Sequence, residues 1–503
     1  MKHPKFEGLL VMSLLATSLF LASSALAKCP NMPRVQQITF KKSEPVLVDH
    51  RKNSTHGEIE KAISISEFDG DSIFWKSPNP GEITKNWPIA YVKGTEVLIE
   101  EVKLAVEPAA KTFLETEVEE PPEPKVVGEV TVKGTKITFT KKFTIAEIKT
   151  QLAAHATYLT TGEMTTSATL PSEVLYESAT INWKWVVKEK GGPTIEPSAG
   201  TSTHNLYITN EKALTGTEIF LTILDLDTQN IEKEAKPPNE ERVIKGAWKG
   251  FSTLEGAANI PSVHIRAYNA TTGAWVNRSG TVLWYWTEET PNTALSGKKV
   301  EENGEIDETE ELSSKCGNLE TAAVLESLKG TCDWWAATFK NALAVEGIKS
   351  EIIQLQVKYA GGEGKVCEKG LECVMLVKNW TLKNPGMGEF PYAPAEVVRT
   401  KGVPGQGLEN PPAAFYNHYI VKAGPAAGAM MYDPSYGAGP FSGGVTPTEK
   451  SVLEEFQSKS LDGFCRPKNA GEIRKAPTAC QTTPVKLQLK GFEESGKEGF
   501  GFP

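Results

Sequence analysis

The chain is as informative in what it lacks as in what it carries. After residue 27 no stretch holds the eighteen or so consecutive apolar residues of a membrane helix, so no transmembrane segment is expected in the mature chain. Basic clusters are missing too. The 54 lysines and arginines are outnumbered by 63 acidic side chains, giving a net charge of −9. Phosphate-backbone binding therefore has no electrostatic support, and nucleic acid is not an expected partner. No C-x-x-C or H-x-x-x-H pair supplies the close ligands of a structural zinc, and the sequence calls for neither metal nor other cofactor. Histidine is scarce, with seven in 503 residues, and that scarcity helps locate a base.

What is present begins with a secretory signal. Lys2 and Lys5 precede the apolar run LLVMSLLATSLFL, and Ala25-Leu26-Ala27 has the A-x-A form of a cleavage site. The expected mature chain starts at Lys28 and is secreted, whether periplasmic, wall-associated or extracellular. A lipid anchor on Cys29 is disfavoured by Lys28, which stands where such signals need a small residue. In that oxidising setting the seven cysteines are an odd number. Short loops favour Cys367 with Cys373 and Cys465 with Cys480, and Cys29 with Cys316 is a third pairing. Cys332 is then left over.

From about Gln37 to Thr209 the texture is that of β structure. VTVKGTKITF reads as two alternating runs around a Lys-Gly turn. INWKWVV sets Ile181, Trp183, Trp185 and Val187 on one face at period two, with Gly191-Gly192-Pro193 ending the strand. The tryptophans are read as core and not as a sugar-stacking platform. ETEVEEPPEPK, acidic and proline-rich, reads as a solvated loop or joint. EIFLTILDL is apolar without a decisive period. GTVLWYW reads as a strand, EENGEIDETEE as a solvated acidic loop, and GNLETAAVLESLKG as a helix. The division expected is 1–27 signal, 28–209 immunoglobulin-like β-sandwich region of one or two modules, 210–485 cysteine domain and 486–503 tail. The fold class expected is α+β.

KGTCDWWAATFKNALAVEGIKSEI places Cys332 at the mouth of a helix. Trp335, Ala336, Phe339 and Leu343 recur at three and four residues, and Gly347 reads as the C-cap. A helix N-terminus carries about half a positive charge and unpaired N–H groups, which favour a thiolate and can stabilise an oxyanion. The base is nearly chosen by arithmetic, because His418 alone follows Cys332. Beyond His418 the aspartates are Asp433, in MMYDPSYG, and Asp462. A carboxylate beside the histidine would hold its tautomer and stabilise the imidazolium. Taken singly, each residue has a plain reading as buried small side chain, core histidine or turn. Jointly, an unpaired exported cysteine and a unique downstream histidine favour an active site.

GTCDWWAATFKNALAVEGI, then NHYIV, then MYDPSYG resembles the transglutaminase-like branch of the papain-like superfamily, over roughly Lys315 to Gly439. The resemblance implies a papain-like transglutaminase-core domain in which Cys332 is nucleophile, His418 base and Asp433 its partner. The chain departs from the family in several places. Ile420 stands where relatives have an aromatic two places after the histidine, no glutamine precedes Cys332, and Trp286 is an oxyanion donor by analogy only. The long Pro/Gly-rich segment from Asn384 to Pro412 is an expected cleft wall. The function implied is secreted, cysteine-dependent acyl transfer on amide or peptide bonds, with hydrolysis slightly favoured over protein cross-linking. The expected partner is a protein or peptide substrate, cell-wall peptide included. The alternative is a non-catalytic cell-surface or wall-associated binding protein on the same scaffold.

Overall fold

A computed structural model describes residues 32–41, 46–47, 73–76, 85–86, 88–155, 157–234, 239–252, 266–269, 274–277, 284–285, 321, 329–330, 332–358, 371–377, 380–383, 396–399, 414–415, 417–425, 428–435, 437–442, 451–452, 454–456, 461–467 and 486–491. They form a mixed α/β structure in which strands predominate. The signal segment and the acidic run Glu301–Glu311 lie outside the described residues, as do Trp286 and most of Asn384–Pro412. Within that last segment Glu396–Arg399 is a strand paired with Trp380–Lys383, so the proline-rich stretch is not loop throughout.

Two large sheets form most of the N-terminal half among the described residues, together with the helices Pro108–Thr116 and Ile145–Ala154. One runs in the order Tyr158–Thr160, Leu98–Ala105, Arg34–Lys41, Ile73–Lys76, Lys85–Asn86. The main path of the other runs Thr165–Thr166, Thr135–Lys142, Lys125–Val132, Leu175–Glu189, Ser198–Thr209, Ile89–Val92. Lys133 and Gly134 adopt φ of 46° and 82°, the left-handed pair that a two-residue hairpin turn requires. Ile181, Trp183, Trp185 and Val187 are all buried, as period-two alternation demands. Each indole finds an acceptor: Trp183 Nε1 donates to Ser202 Oγ at 2.9 Å and Trp185 Nε1 to the Pro33 carbonyl at 3.0 Å. The apolar faces of both sheets belong to one continuous core.

Three helices carry the chain into its second half: α1 (Leu221–Glu234), α2 (Glu240–Ser252) and α3 (Cys332–Val345). EIFLTILDL, ambiguous in sequence, becomes the short strand Ile219–Phe220 followed by α1. Its apolar residues divide between two cores. Ile219, Leu221 and Leu224 join the sheets, whereas Phe220, Ile223 and Leu226 join a second cluster containing Cys332, Trp335 and Phe339. An antiparallel sheet lies against α3, in the order Ala438–Phe441, Met430–Asp433, Asn417–Ala423, Ser350–Lys358, Lys486–Gly491. The pairing of that last strand carries the sheet past residue 485. Cys373 and Cys465 are register partners on the strands Leu371–Val377 and Leu461–Pro467, while Cys367 and Cys480, their expected partners, lie outside the described residues.

Candidate active site

The helix α3 begins at Cys332 and ends as its sequence suggests. Gly347, at φ +78°, donates its N–H to the Ala344 carbonyl at 3.1 Å, while Ile348 N–H reaches Leu343 at 2.9 Å. That pair of bonds is a Schellman ending, and glycine is the residue that adopts its left-handed position without strain. An aromatic group holds the helix to the sheet. Phe339 meets Trp248 and Phe251 of α2 at ring-centroid distances of 5.3 and 4.9 Å, and Tyr432 at 5.5 Å. Tyr432 directly precedes Asp433, so the packing that seats α3 also seats the aspartate strand.

His418 is the second residue of Asn417–Ala423, and Asp433 the last of Met430–Asp433, neighbouring antiparallel strands joined by a hairpin. Both side chains are fully buried, and His418 Nε2 lies 2.9 Å from Asp433 Oδ2. Burial alone would pull the imidazole down. The charge of Asp433 and its hydrogen bond, followed by a hydrogen bond to Cys332 and the charge there, outweigh burial and raise His418 to about 10. With Nε2 committed to Asp433, Nδ1 is the nitrogen left to face the sulfur. Cys332 is 7% exposed and is a free thiol. The three residues singled out in the sequence are thus brought together, although 86 positions separate Cys332 from His418 and 15 separate His418 from Asp433 (418 − 332 and 433 − 418).

Several neighbours were not legible beforehand. The Phe456 ring lies roughly parallel to that of His418, centroids 6.5 Å apart, and is itself fully buried. Four-residue spacing of Val452 and Phe456 was the available signal. Tyr419 accepts a hydrogen bond from Gln354 Nε2 at 2.9 Å, and burial followed by the charges of Asp333 and Cys332 raises its phenol. Asp433 Oδ1 and Ser435 Oγ are buried with no hydrogen-bond partner among the described residues. Trp284–Tyr285 pairs in parallel with Lys329–Gly330, the strand that leads into Cys332. No cluster of three or more His, Cys, Asp or Glu side chains suited to a metal occurs among the described residues. No helix among them is long and apolar enough to cross a membrane.

No known protein family matches the chain, and no curated protein does. Among solved structures it is similar to red sea bream transglutaminase, at 10% identity and a TM-score of 0.27, over 78% of this chain and 61% of that one. The aligned region thus spans less than two thirds of the transglutaminase. At that score the likeness carries no argument about residues or reaction, and the site is read from its own geometry.

Proposed function

We propose that the chain is an exported cysteine-dependent acyl-transfer enzyme acting on amide or peptide bonds of proteins or peptides, on a β-sandwich-like region followed by a papain-like transglutaminase core. The observation that carries this reading is the buried His418–Asp433 pair engaged with a free cysteine at a helix start. Cys332 Sγ attacks the carbonyl carbon, the N–H groups at the start of α3 take the developing oxyanion, and the C–N bond breaks as His418 gives its proton to the leaving amine. A thioester remains. Water completes hydrolysis, or an amine completes transfer; hydrolysis is the favoured outcome. Asp433 keeps the imidazolium oriented throughout.

The test is an acyl-donor peptide library turned over by wild type and by Cys332→Ala. Turnover by the wild type alone supports the reading, and equal signal from both sinks it. Incorporation of a fluorescent amine into a glutamine-bearing protein marks the transferase outcome. One observation favours a non-catalytic binding protein instead: Cys332 is nearly covered and His418 wholly so. A thiol-directed electrophile separates the two. Labelling of the folded protein at Cys332 at neutral pH, slowed by His418→Ala, supports catalysis, whereas an inert thiol supports the scaffold.

A further inference from the structure

Away from Cys332, two acidic side chains are enclosed where the halves of the molecule meet. Asp227 on α1 and Glu346, the residue after α3, are both fully buried. Neither oxygen of Asp227, nor Glu346 Oε1, has a hydrogen-bond partner among the described residues. Glu346 is held from the N-terminal half. The Asn210 backbone N–H donates to Oε2 at 2.7 Å, and its side-chain amide donates to the Glu346 carbonyl at 3.3 Å. Lys93, in the turn after Ile89–Val92, donates to Asn210 Oδ1 and lies 3.8 Å from Glu211. Four residues on, Leu214 N–H bonds the Ala344 carbonyl at 3.0 Å, so the segment 210–214 also caps the end of α3. The contact is tight. A Cβ on Gly347 would stand 2.5 Å from Glu211 Cβ and 2.9 Å from the Lys212 carbonyl.

A carboxyl group without partners tolerates burial while protonated and resists it once charged. We propose that Asp227 and Glu346 form an acid-closed latch: while both are neutral, segment 210–214 stays seated on the C-terminal end of the Cys332 helix, and ionisation of Glu346 loosens it. The latch is independent of the catalytic reading. Burial raises Glu346, and the Asn210 N–H and the Lys93 charge partly offset it, leaving the group at about 7. Burial, and then the charge of Glu346, hold Asp227 well above the ordinary carboxyl range. The other charged groups nearby are engaged or distinct: Glu211 with Lys93, Asp225 accepting from the Tyr207 hydroxyl at 3.0 Å, and Glu218 raised by its own burial. Glu346 sits higher folded than its ordinary 4.5, so the stabilisation it gives is complete below about 4.5 and is lost as pH rises through about 7. Over that window the opening equilibrium should grow on the order of 10²-fold.

Hydrogen–deuterium exchange on the full chain, expressed as protection factors between about pH 5 and 8.5, reads this directly. In the wild type, protection at Asn210, Leu214 and Ile348 should fall on the order of 10²-fold with rising pH, while amides of the strand Leu175–Glu189 hold theirs. Glu346→Gln keeps the shape and cannot ionise, so it should flatten the profile. Should wild-type protection stay level, fall equally in the reference strand, or fall unchanged in Glu346→Gln, the latch is refuted. The wild-type comparison stands even if the variant does not fold.

Discussion

His418 shows how far one neighbour can set a side chain's charge. Burial in an apolar setting would leave the ring neutral, and Asp433 at 2.9 Å reverses that. Replacing Asp433 with Asn removes the charge and keeps the size. The ring should then drop well below about 10, because burial is left as the largest single influence. Labelling of Cys332 at pH 7 by iodoacetamide should slow on the order of 10²-fold or more, and the pH at which labelling rises to its plateau should move up, because the thiolate loses the imidazolium beside it. A variant that labels at the wild-type rate would mean that the pair does not govern the thiol. At this scale the sequence was generous about the triad and silent about its surroundings. A single histidine after a single leftover cysteine almost named itself. Spacing from Val452 marks Phe456 as core and no more, since its place beside His418 depends on a fold contact across 38 positions (456 − 418).

Elements are fixed by what their residues face across the ladder. Trp183 pairs in register with Gly128, and the indole lies so close that a Cβ on Gly128 would fall 2.5 Å from its ring. The ring cannot move freely, since its Nε1 is tied to Ser202. Gly128→Ala should therefore cost about 1 to 3 kcal/mol through overpacking. A urea midpoint equal to wild type would show that the ring gives way. Past the end of α3, Gly347→Ala meets both a left-handed φ and the Glu211 side chain. Its urea midpoint should fall by the equivalent of about 1 to 3 kcal/mol. Alternation from Ile181 to Val187 and the Lys-Gly turn made the strand and hairpin readable, because both signals are local. EIFLTILDL was not readable for a physical reason. A helix buried against two cores has no polar face, so its apolar residues show no single stripe.

At the scale of the whole molecule, α1 makes the two halves difficult to separate. Its residues enter both cores, Val345 at the end of α3 joins the N-terminal core, and Asn210 binds Glu346. A sequence boundary at residue 210 falls on the segment that connects these contacts. A fragment beginning there would expose Ile219, Leu221 and Leu224, each now nearly or fully buried, and would leave Asn210, the partner of Glu346, as a free end cut from the strand that precedes it. Burying side chains of that size contributes about 1.5 to 3 kcal/mol apiece, comparable in sum with the net stability of a domain. The halves should therefore unfold together. Calorimetry of the chain at pH 5, where Glu346 is protonated, should give one transition whose calorimetric and van't Hoff enthalpies agree. Two resolved transitions, with the fragment melting at the temperature of one of them, would show that α1 belongs to one core alone and that the contacts across residue 210 add little.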